Sequence, residues 1–389
     1  MRTTFLLLFI ATICGAQAPF TLNGGGTDQV QYFAALPYES INEKIIIQAR
    51  INDKTYRFLL DTGAPTTIST QLSETLKPAL VAQIPVWDVN NARDSMTVVS
   101  LNEIFIGNIA FKNIPALVAK PNIAFECFEL DGIIGSNLMR NSILQIDERN
   151  KQMVLTDDPK KLNLSAKQAS KLWLDRQSSP IIQIKLKNKN QAKERLLFDT
   201  GMQGLYDLSL RNLDIFQKHQ ILEPLATGVG SNAMGLHGMA KDTTIYRLRL
   251  PVMEINGHKL LNIVTETTLD DNSRIGASLL QYGVVTVDYM HKKFYFSPYT
   301  PIDTDAREKR FPINIVPKGD QIFIGTVWSD ALSSKISAGD QVIAIDGVNY
   351  EKTDLCSLFL APILKGKDSM RISTKNREGK IVETFLRRE

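Results

Sequence analysis

The sequence predicts a mainly β protein with two similar lobes and a small C-terminal α+β domain. Two repeated motifs predict the lobes. An apolar run ends in Asp-Thr-Gly twice, in "FLLDTG" and in "LLFDTG". A glycine that follows an apolar residue lies downstream in each half, 74 residues after Asp61 at Gly135 and 77 residues after Asp199 at Gly276. The same motifs in the same order at similar spacing are typical of a duplicated domain.

Each lobe is predicted to consist mostly of strands. "EKIIIQARIND" in the first half and "SPIIQIKLKNK" in the second both alternate with period two and lead into a short turn. Helical patterns are scarce. Short helices are predicted from "TQLSETLK" and "SLRNLDIFQKH" after each Asp-Thr-Gly, and "NLM" and "SLL" each predict one helical turn. We therefore expect two small, barrel-like β lobes.

The chain is expected to divide into six segments. These are a signal peptide at 1–18, a lead-in or pro-segment at 19–35, lobe one at 36–158, lobe two at 159–299, a linker at 300–311 and the C-terminal domain at 312–389. The linker is indicated by repeated prolines among charged residues.

The first 18 residues have the features of a secretory signal. Arg2 supplies a positive start, "FLLLFIATI" is apolar, and Ala16-Gln17-Ala18 is a small-residue cleavage signal. The apolar run is too short to span a bilayer stably, so we expect a secreted or periplasmic protein without an integral membrane span. The bulky Ile13 before Cys14 argues against a lipoprotein.

Composition excludes several classes of protein. The 389 residues are 43% hydrophobic and 22% charged, which is ordinary for a globular protein. The net charge of +4 is small and not clustered, so nucleic acid is not an expected partner. Beyond the signal peptide, Cys127 and Cys356 lie far apart and do not form a disulfide framework. We expect no metal and no cofactor, because the sequence has no phosphate-binding glycine loop and its histidines lack ligand spacing.

The two Asp-Thr-Gly turns predict a pair of carboxyl groups. Apolar residues before each aspartate make a buried strand that ends at the acid, and the glycine permits a tight turn. Two lobes that face each other would bring Asp61 and Asp199 within a few ångströms, where they share one proton because both cannot ionise. The ionised carboxylate can take a proton from water while the protonated carboxyl group polarises a carbonyl.

These residues carry a family resemblance. Asp61-Thr62-Gly63 and Asp199-Thr200-Gly201, with the hydrophobic-glycine motifs Ile133-Ile134-Gly135 and Ile275-Gly276, resemble the aspartic proteases of the retropepsin and pepsin superfamily. The resemblance covers roughly residues 36–298, each lobe is similar to one retropepsin subunit, and the two together resemble a pepsin-like bilobal unit.

The resemblance also implies roles for individual residues. It implies that Asp61 and Asp199 are catalytic and that the hydroxyl groups of Thr62 and Thr200 grip across the lobe interface. The two Asp-Thr-Gly turns are here called the acid loops. The remaining residues of the acid loops and of the hydrophobic-glycine loops beside them would support the site: Gly63, Gly201, Ile134, Gly135, Ile275 and Gly276.

The family also closes a flap hairpin over its substrate. In lobe one the candidate flap is "PVWDVNNARDSMTV", with Asn90 and Asn91 near its tip. In lobe two it is "ATGVGSNAMGLHGMAKDTT", which contains Gly228 and Gly230. The glycines suit a mobile lid, and a surface loop without that role is the alternative interpretation.

Lobe two departs from the family pattern at two positions. Met202 follows its Asp-Thr-Gly, where the family has Ser, Thr or Ala, and a thioether is a poor hydrogen-bond partner for a carboxylate. Arg274 stands where lobe one has Ile133. A cation beside the acids would favour an ionised aspartate, but we expect Arg274 to point to solvent.

The C-terminal stretch resembles a PDZ domain, especially those of exported bacterial proteases. The matching segment is "IFIGTVWSDALSSKISAGDQVIAIDGV", with a helix near "LCSLFLAPIL". PDZ domains bind a peptide as an added strand at an open sheet edge. The resemblance implies peptide-binding residues at Gly319, Gln321, Ile322 and Phe323, with a C-terminal peptide as ligand. A domain that serves only for packing is the alternative.

Two functions from different classes fit the sequence. The first is an exported aspartic endopeptidase whose C-terminal domain recognises peptides or protein substrates. The second is a non-catalytic peptide-binding protein on a duplicated protease fold, suggested by Met202 and Arg274. Both intact Asp-Thr-Gly turns favour the enzyme.

Overall fold

Strands dominate the fold of this protein. The computed structural model describes residues 20–88, 90, 93–231, 234–235, 238–239, 241–361 and 363–389. The predicted signal peptide and Asn91 of the candidate flap lie outside these residues. The prediction of a mainly β protein is confirmed. Within the described ranges, no helix is both long and apolar enough to cross a membrane.

Lobe one is built around a twisted sheet in the order β2-β3-β4-β9-β5-β8-β7-β6. Its strands are β1 Phe33–Pro37, β2 Glu39–Ile41, β3 Lys44–Ile51, β4 Lys54–Asp61, β5 Thr67–Ser69, β6 Ala79–Trp87, β7 Arg93–Ile106, β8 Ile109–Ala119, β9 Gly132–Gly135, β10 Ile143–Asp147 and β11 Gln152–Thr156. Its helices are α1 Thr70–Leu76, α2 Ile123–Cys127 and α3 Ser136–Met139.

The first hairpin of lobe one follows from its sequence. Asn52 and Asp53 join β3 to β4 with φ of 47° and 62°, and these positive values suit the tight turn that matches strand twist. Ile45 and Ile47 of β3 enter the main core, whereas Ile46 on the opposite face joins a second apolar cluster. β3 is therefore buried on both faces, which explains its uninterrupted run of isoleucines.

Lobe two repeats this arrangement. Its strands are β12 Ala169–Lys171, β13 Trp173–Leu174, β14 Pro180–Lys187, β15 Gln191–Phe198, β16 Tyr206–Ser209, β17 Glu223–Gly230, β18 Met234–Gly235, β19 Gly238–Met239, β20 Thr243–Ile255, β21 His258–Thr268, β22 Arg274–Ile275, β23 Gly283–Asp288 and β24 Lys293–Pro298. The predicted helix after the second Asp-Thr-Gly is α4 Leu210–Lys218, and 3-10 helices cover Pro159–Lys161, Ala166–Gln168 and Ala277–Gln281.

A shared sheet joins the lobes. Its order is β1-β11-β10-β23-β24-β12, with strands from both lobes. The junction is the antiparallel pair β10–β23, in which Ile143 lies opposite Asp288 and Ile146 opposite Val285. Backbone hydrogen bonds therefore connect the lobes beneath the two acid loops.

The stretch expected to be a lead-in or pro-segment is packed onto lobe one. β1 pairs along its length with β11. The Tyr32 hydroxyl contacts Ser142 Oγ at 2.7 Å, and Asn137 Nδ2 donates to the Leu22 carbonyl at 3.0 Å. This stretch therefore contacts lobe one through β1, Tyr32 and Leu22.

The C-terminal module has its own apolar core. Its elements are β26 Ile313–Lys318, β27 Gln321–Val327, α5 Asp330–Ser333, β28 Gln341–Ile345, β29 Val348–Asn349, α6 Leu355–Leu360, β30 Ser369–Lys375 and β31 Ile381–Arg387. The core comprises Phe311, Ile313, Ile322, Ile324, Ile336, Val342, Ile345, Met370, Ile372 and Leu386. Before it, the expected linker is held against lobe two, because β25 Thr304–Asp305 pairs with β21 and Arg310 contacts Glu266.

The module is attached to both lobes. Gly230 of β17 pairs with Thr326 of β27, so that the sheet of lobe two continues into the module. A disulfide joins Cys127 of α2 to Cys356 of α6 across 229 residues of sequence. The expectation that two such distant cysteines form no disulfide framework missed this bond, since folding brings together two residues that the sequence keeps far apart.

The edge expected to receive a peptide is already occupied. β27 pairs with β26 along its length, from Gln321 opposite Lys318 to Val327 opposite Ile313. On the other side Phe323 pairs with Gln341 of β28 and Thr326 with β17. Gly319 lies in the turn between β26 and β27 with φ of 64°. The proposed peptide strand at Gln321, Ile322 and Phe323 therefore lacks an open edge.

Candidate active site

Each acid loop is positioned by the strand that leads to its aspartate and by a glycine on the strand beside it. β4 ends at Asp61 and runs parallel to β9, with Asp61 opposite Gly135. In lobe two β15 runs parallel to β22, with Phe198 opposite Ile275. A side chain at Gly135 would place its Cβ 2.3 Å from the Ala64 carbonyl oxygen. The hydrophobic-glycine loops therefore need glycine because the acid loops pack directly on them.

Two threonines lock the acid loops to each other. The backbone amide of Thr62 donates to Thr200 Oγ1 at 3.0 Å, and the amide of Thr200 donates to Thr62 Oγ1 at 3.1 Å. The hydroxyls in turn donate to the carbonyls of Phe198 and Leu60 at 2.6 and 2.8 Å. Both threonines are fully buried. Because each hydroxyl is both donor and acceptor across the interface, the relative position of the two loops is fixed.

The carboxyl groups of Asp61 and Asp199 meet between the lobes. Each carboxyl group lies against the glycine of the opposite Asp-Thr-Gly loop. The amides of Gly63 and Gly201 donate to the Oδ1 atoms of their own aspartates at 2.8 and 2.9 Å. A Cβ on Gly63 would lie 2.5 Å from Asp199 Cγ, and one on Gly201 would lie 2.4 Å from Asp61 Cγ. Glycine at both positions is what lets the acids approach.

The environment of Asp61 favours its protonated form. The pKa of Asp61 is raised to about 7, first by burial and second by the adjacent Asp199. The Lys44 ammonium group opposes this shift. A carboxyl group that is protonated at pH 6 can donate a hydrogen bond to a carbonyl oxygen.

Arg274 turns toward the acids and not toward solvent. Its Nη1 donates to Asp199 Oδ2 at 3.0 Å, and its Nη2 bonds Asp270. The expectation that Arg274 points to solvent is wrong, and the equivalent strand pairing in the two lobes gives the reason. Leu197 pairs with Arg274 as Leu59 pairs with Ile133, so both residues project from equivalent strand positions next to the acid loop. The guanidinium group therefore forms an ion pair with the Asp199 carboxylate.

Lys44 was not predicted from the sequence. It begins β3, is partly buried, and its Nζ donates to the carbonyl of Gly201 in the second acid loop. Burial lowers the pKa of Lys44, while the charges of Asp61 and Asp199 counteract that shift. No motif marks this lysine, and its position depends on the packing of the β2–β3 turn against lobe two.

The backbone amide of Met202 supplies a hydrogen bond that its thioether side chain cannot make. Its amide donates to Asp199 Oδ1 at 3.2 Å, so the carboxylate has a donor although a hydroxyl is missing. The thioether side chain is itself buried, with 9% exposure. The methionine at this position therefore costs Asp199 less hydrogen bonding than its thioether side chain predicts.

The two candidate flaps differ. In lobe one β6 and β7 form a long hairpin, and the amide of Asn90 near its tip donates to Asp88 Oδ1 at 2.9 Å. In lobe two Gly228 and Gly230 lie in β17, between β20 and the C-terminal module. A Cβ on Gly230 would lie 1.8 Å from the Gly325 carbonyl oxygen. These glycines permit close contact with the module. Residues 232–233, 236–237 and 240 of this candidate flap lie outside the described residues.

Comparison with known proteins agrees with this geometry. The family described as aspartyl protease matches residues 47–138, a range that contains Asp61 and Gly135. This match assigns the aspartyl protease fold to that part of lobe one. No curated protein matches the chain.

Three solved structures are similar to the chain at low identity. A retropepsin-like aspartic protease from Rickettsia conorii is 19% identical with a TM-score of 0.24, covering 32% of this chain and 89% of its own. An aspartic proteinase from Irpex lacteus is 12% identical with a TM-score of 0.44, covering 71% and 100%. Basic 7S globulin from soybean is 10% identical with a TM-score of 0.42, covering 68% and 94%.

Proposed function

We propose that this protein is an exported aspartic endopeptidase that hydrolyses peptide bonds with an activated water. The observation that carries the proposal is the pair Asp61 and Asp199, brought together between two lobes whose threonines fix the loops. A rigid pair of carboxyl groups in unequal environments suits general acid–base catalysis.

The unequal environments give each acid a role. Asp199, paired with Arg274, is the ionised base that takes a proton from water. Asp61, whose pKa is raised by burial and by Asp199, is the acid that donates its proton to the peptide carbonyl oxygen. Water oxygen bonds to the carbonyl carbon and gives a tetrahedral diol. The proton on Asp199 then passes to the amide nitrogen, the C–N bond breaks, and Asp61 recovers a proton from a diol hydroxyl.

The disulfide supports the proposed export. Disulfides persist in extracellular and periplasmic compartments and are rare where cytosolic thiols keep cysteines reduced. Cys127–Cys356 joins two folded parts of the chain, and therefore fits a secreted or periplasmic protein. The signal peptide proposed at residues 1–18 would provide the route.

The C-terminal module is proposed to be PDZ-like in its order of strands and helices. Its expected peptide strand is paired on both sides, so we assign it no C-terminal peptide ligand. Its contacts with both lobes instead favour a role at the cleft.

A mixed peptide pool tests the proposed activity. Purified protein should cleave a subset of peptides, and a statine-type inhibitor, whose hydroxyl imitates the tetrahedral diol, should abolish that cleavage. Absence of cleavage across the pool between pH 4 and 8 would reject the enzyme. The alternative, a non-catalytic peptide-binding protein, is favoured by the ion pair between Arg274 and Asp199 and would bind the inhibitor without cleaving any peptide.

A further inference from the structure

An apolar patch lies beside the first acid loop. Ala64 follows Asp-Thr-Gly, Ile133 begins the hydrophobic-glycine motif, and Ile84, Val86 and Met96 belong to the β6–β7 hairpin. These five residues, here called the cleft patch, form one cluster with Ile46 and Val98. A peptide that lies between the hairpin and Asp61 must pass along this patch. The patch is therefore part of the substrate site in the proposed function.

A side chain of the C-terminal module packs against the cluster that contains the patch. Phe359, near the end of α6, packs against the same cluster. The other residues of this cluster belong to lobe one and to the stretch that precedes it. An aromatic ring on an apolar surface occupies area that a substrate side chain would need.

Hydrogen bonds continue the contact to the second acid loop. Asn42, in the β2–β3 turn, donates from Nδ2 to the Phe359 carbonyl at 3.0 Å. Gln203 donates from Nε2 to the Asn42 carbonyl at 2.8 Å, and the Gly204 amide donates to Glu43 Oε2 at 2.8 Å. The module, the turn and the loop that follows Asp199 are thus connected by hydrogen bonds.

The disulfide holds this contact in place. Cys356 precedes Phe359 by three residues on α6, so the two side chains lie on neighbouring positions of one helix face. Its partner Cys127 lies between Phe125 and Phe128, two aromatic residues of the same cluster. A covalent link at this point keeps Phe359 at a high effective concentration over the patch.

We propose that the C-terminal module is a built-in cap, in which Phe359 occupies the substrate cleft and the Cys127–Cys356 disulfide keeps it there. This inference rests on the proposed function, because it concerns access to the same cleft. The competing ligand is a peptide with an apolar side chain. Opening requires α6 to leave the patch, and the apparent affinity for the peptide is reduced by the fraction of molecules in which the cleft is open.

Binding of a fluorescein-labelled statine peptide to full-length variants tests the cap without requiring turnover. In Phe359→Ala the ring is removed and the helix stays, so the dissociation constant should fall about tenfold or more relative to wild type. Cys356→Ser removes the tether and should change binding in the same direction. Leu360→Ala is the matched control, because Leu360 is on the same helix but is exposed and outside the cluster. It should bind as the wild type does.

The outcomes separate the cap from the proposed catalysis. Equal binding by wild type, Phe359→Ala and Cys356→Ser would overturn the cap, whatever the rate of peptide cleavage. Tighter binding in both variants without cleavage would support the cap and reject the protease. Lack of binding in every variant would reject both. If thermal melting shows that Phe359→Ala does not fold, Phe359→Ser and Cys356→Ser provide the same comparison.

Discussion

At the scale of single residues, the two aspartates are made different by their neighbours. Asp199 accepts hydrogen bonds from Arg274 Nη1 at 3.0 Å and from the amides of Gly201 and Met202, which stabilise negative charge. Burial and the adjacent Asp199 raise the pKa of Asp61 to about 7. The asymmetry comes from Arg274 in lobe two, where lobe one has Ile133.

Replacement of Arg274 should change the pH dependence of turnover. In Arg274→Gln the cation that favours ionisation is lost, so the acid pair should hold its proton to higher pH. Both limbs of the kcat/KM profile should move upward by about one pH unit, with a loss of rate on the acid side. Arg249→Gln is the control, because Arg249 pairs with Glu223 on the surface. An unchanged profile in a folded Arg274→Gln protein would contradict the role of this arginine.

The raised pKa of Asp61 also predicts how stability varies with pH. The pKa rises from 3.8 to about 7 on folding, so between these values the folded protein retains a proton that the unfolded chain releases. This contribution to stability is fully present below about pH 4 and is lost as pH rises to about 7.

Asp61→Asn removes that titration. The free energy of unfolding of the variant, relative to wild type, should therefore increase between about pH 4 and pH 7. Denaturant unfolding at several pH values measures the difference, with Asp53→Asn as an exposed control. A difference that does not vary with pH would show that Asp61 is not protonated in this range.

At the scale of elements, glycines in β17 allow the module to join lobe two. Gly230 has φ of 153° and lies against the Gly325 carbonyl. The Ser231 amide donates to that same carbonyl at 3.3 Å. A short strand pair thus links the candidate flap of lobe two to β27.

Gly230→Ala should break this link. The new methyl group cannot fit at 1.8 Å from the Gly325 oxygen, so β17 and β27 must separate. We expect a loss of about 1–3 kcal/mol in the free energy of unfolding, the usual range for a strained substitution. Gly257→Ala is the matched control, because its φ is also positive, at 90°, but its Cβ would meet open space. Equal losses in both variants would show that the contact with the module contributes nothing.

Local patterns predicted the elements better than the contacts between them. The alternation in "EKIIIQARIND", the apolar run into Asp-Thr-Gly and the segment "TQLSETLK" correspond to β3, β4 and α1. The disulfide was missed because a separation of 229 residues gives no local signal. Lys44 and Phe359 were missed for the same reason, since their neighbours at the cleft come from distant parts of the chain.

At the scale of the whole molecule, one chain supplies both acids and the sheet that joins them. The pair β10–β23 and the crossed threonine hydrogen bonds connect the lobes within a single polypeptide. A second subunit is therefore not needed to assemble the proposed site.

Activity should then be independent of protein concentration. Turnover per mole of protein should stay constant on dilution from micromolar to nanomolar concentration, because the association of the lobes is intramolecular. Sedimentation at the same concentrations gives the oligomeric state for comparison. A steep fall of specific activity in the range where a dimer dissociates would contradict a single-chain site.

The most direct test of the account is peptide turnover in Asp61→Asn and Asp199→Asn, with thermal melting alongside. Asparagine keeps the size of the side chain and removes its acid–base function. Each variant should fold. Asp61→Asn should be as stable as wild type or slightly more stable, because one acid of a repelling pair is gone, whereas Asp199→Asn also loses the ion pair with Arg274. Each should lose about a thousandfold in turnover, the order that general acid–base catalysis contributes. Full activity in a folded Asp199→Asn protein would contradict the account and leave the second Asp-Thr-Gly turn as a structural element only.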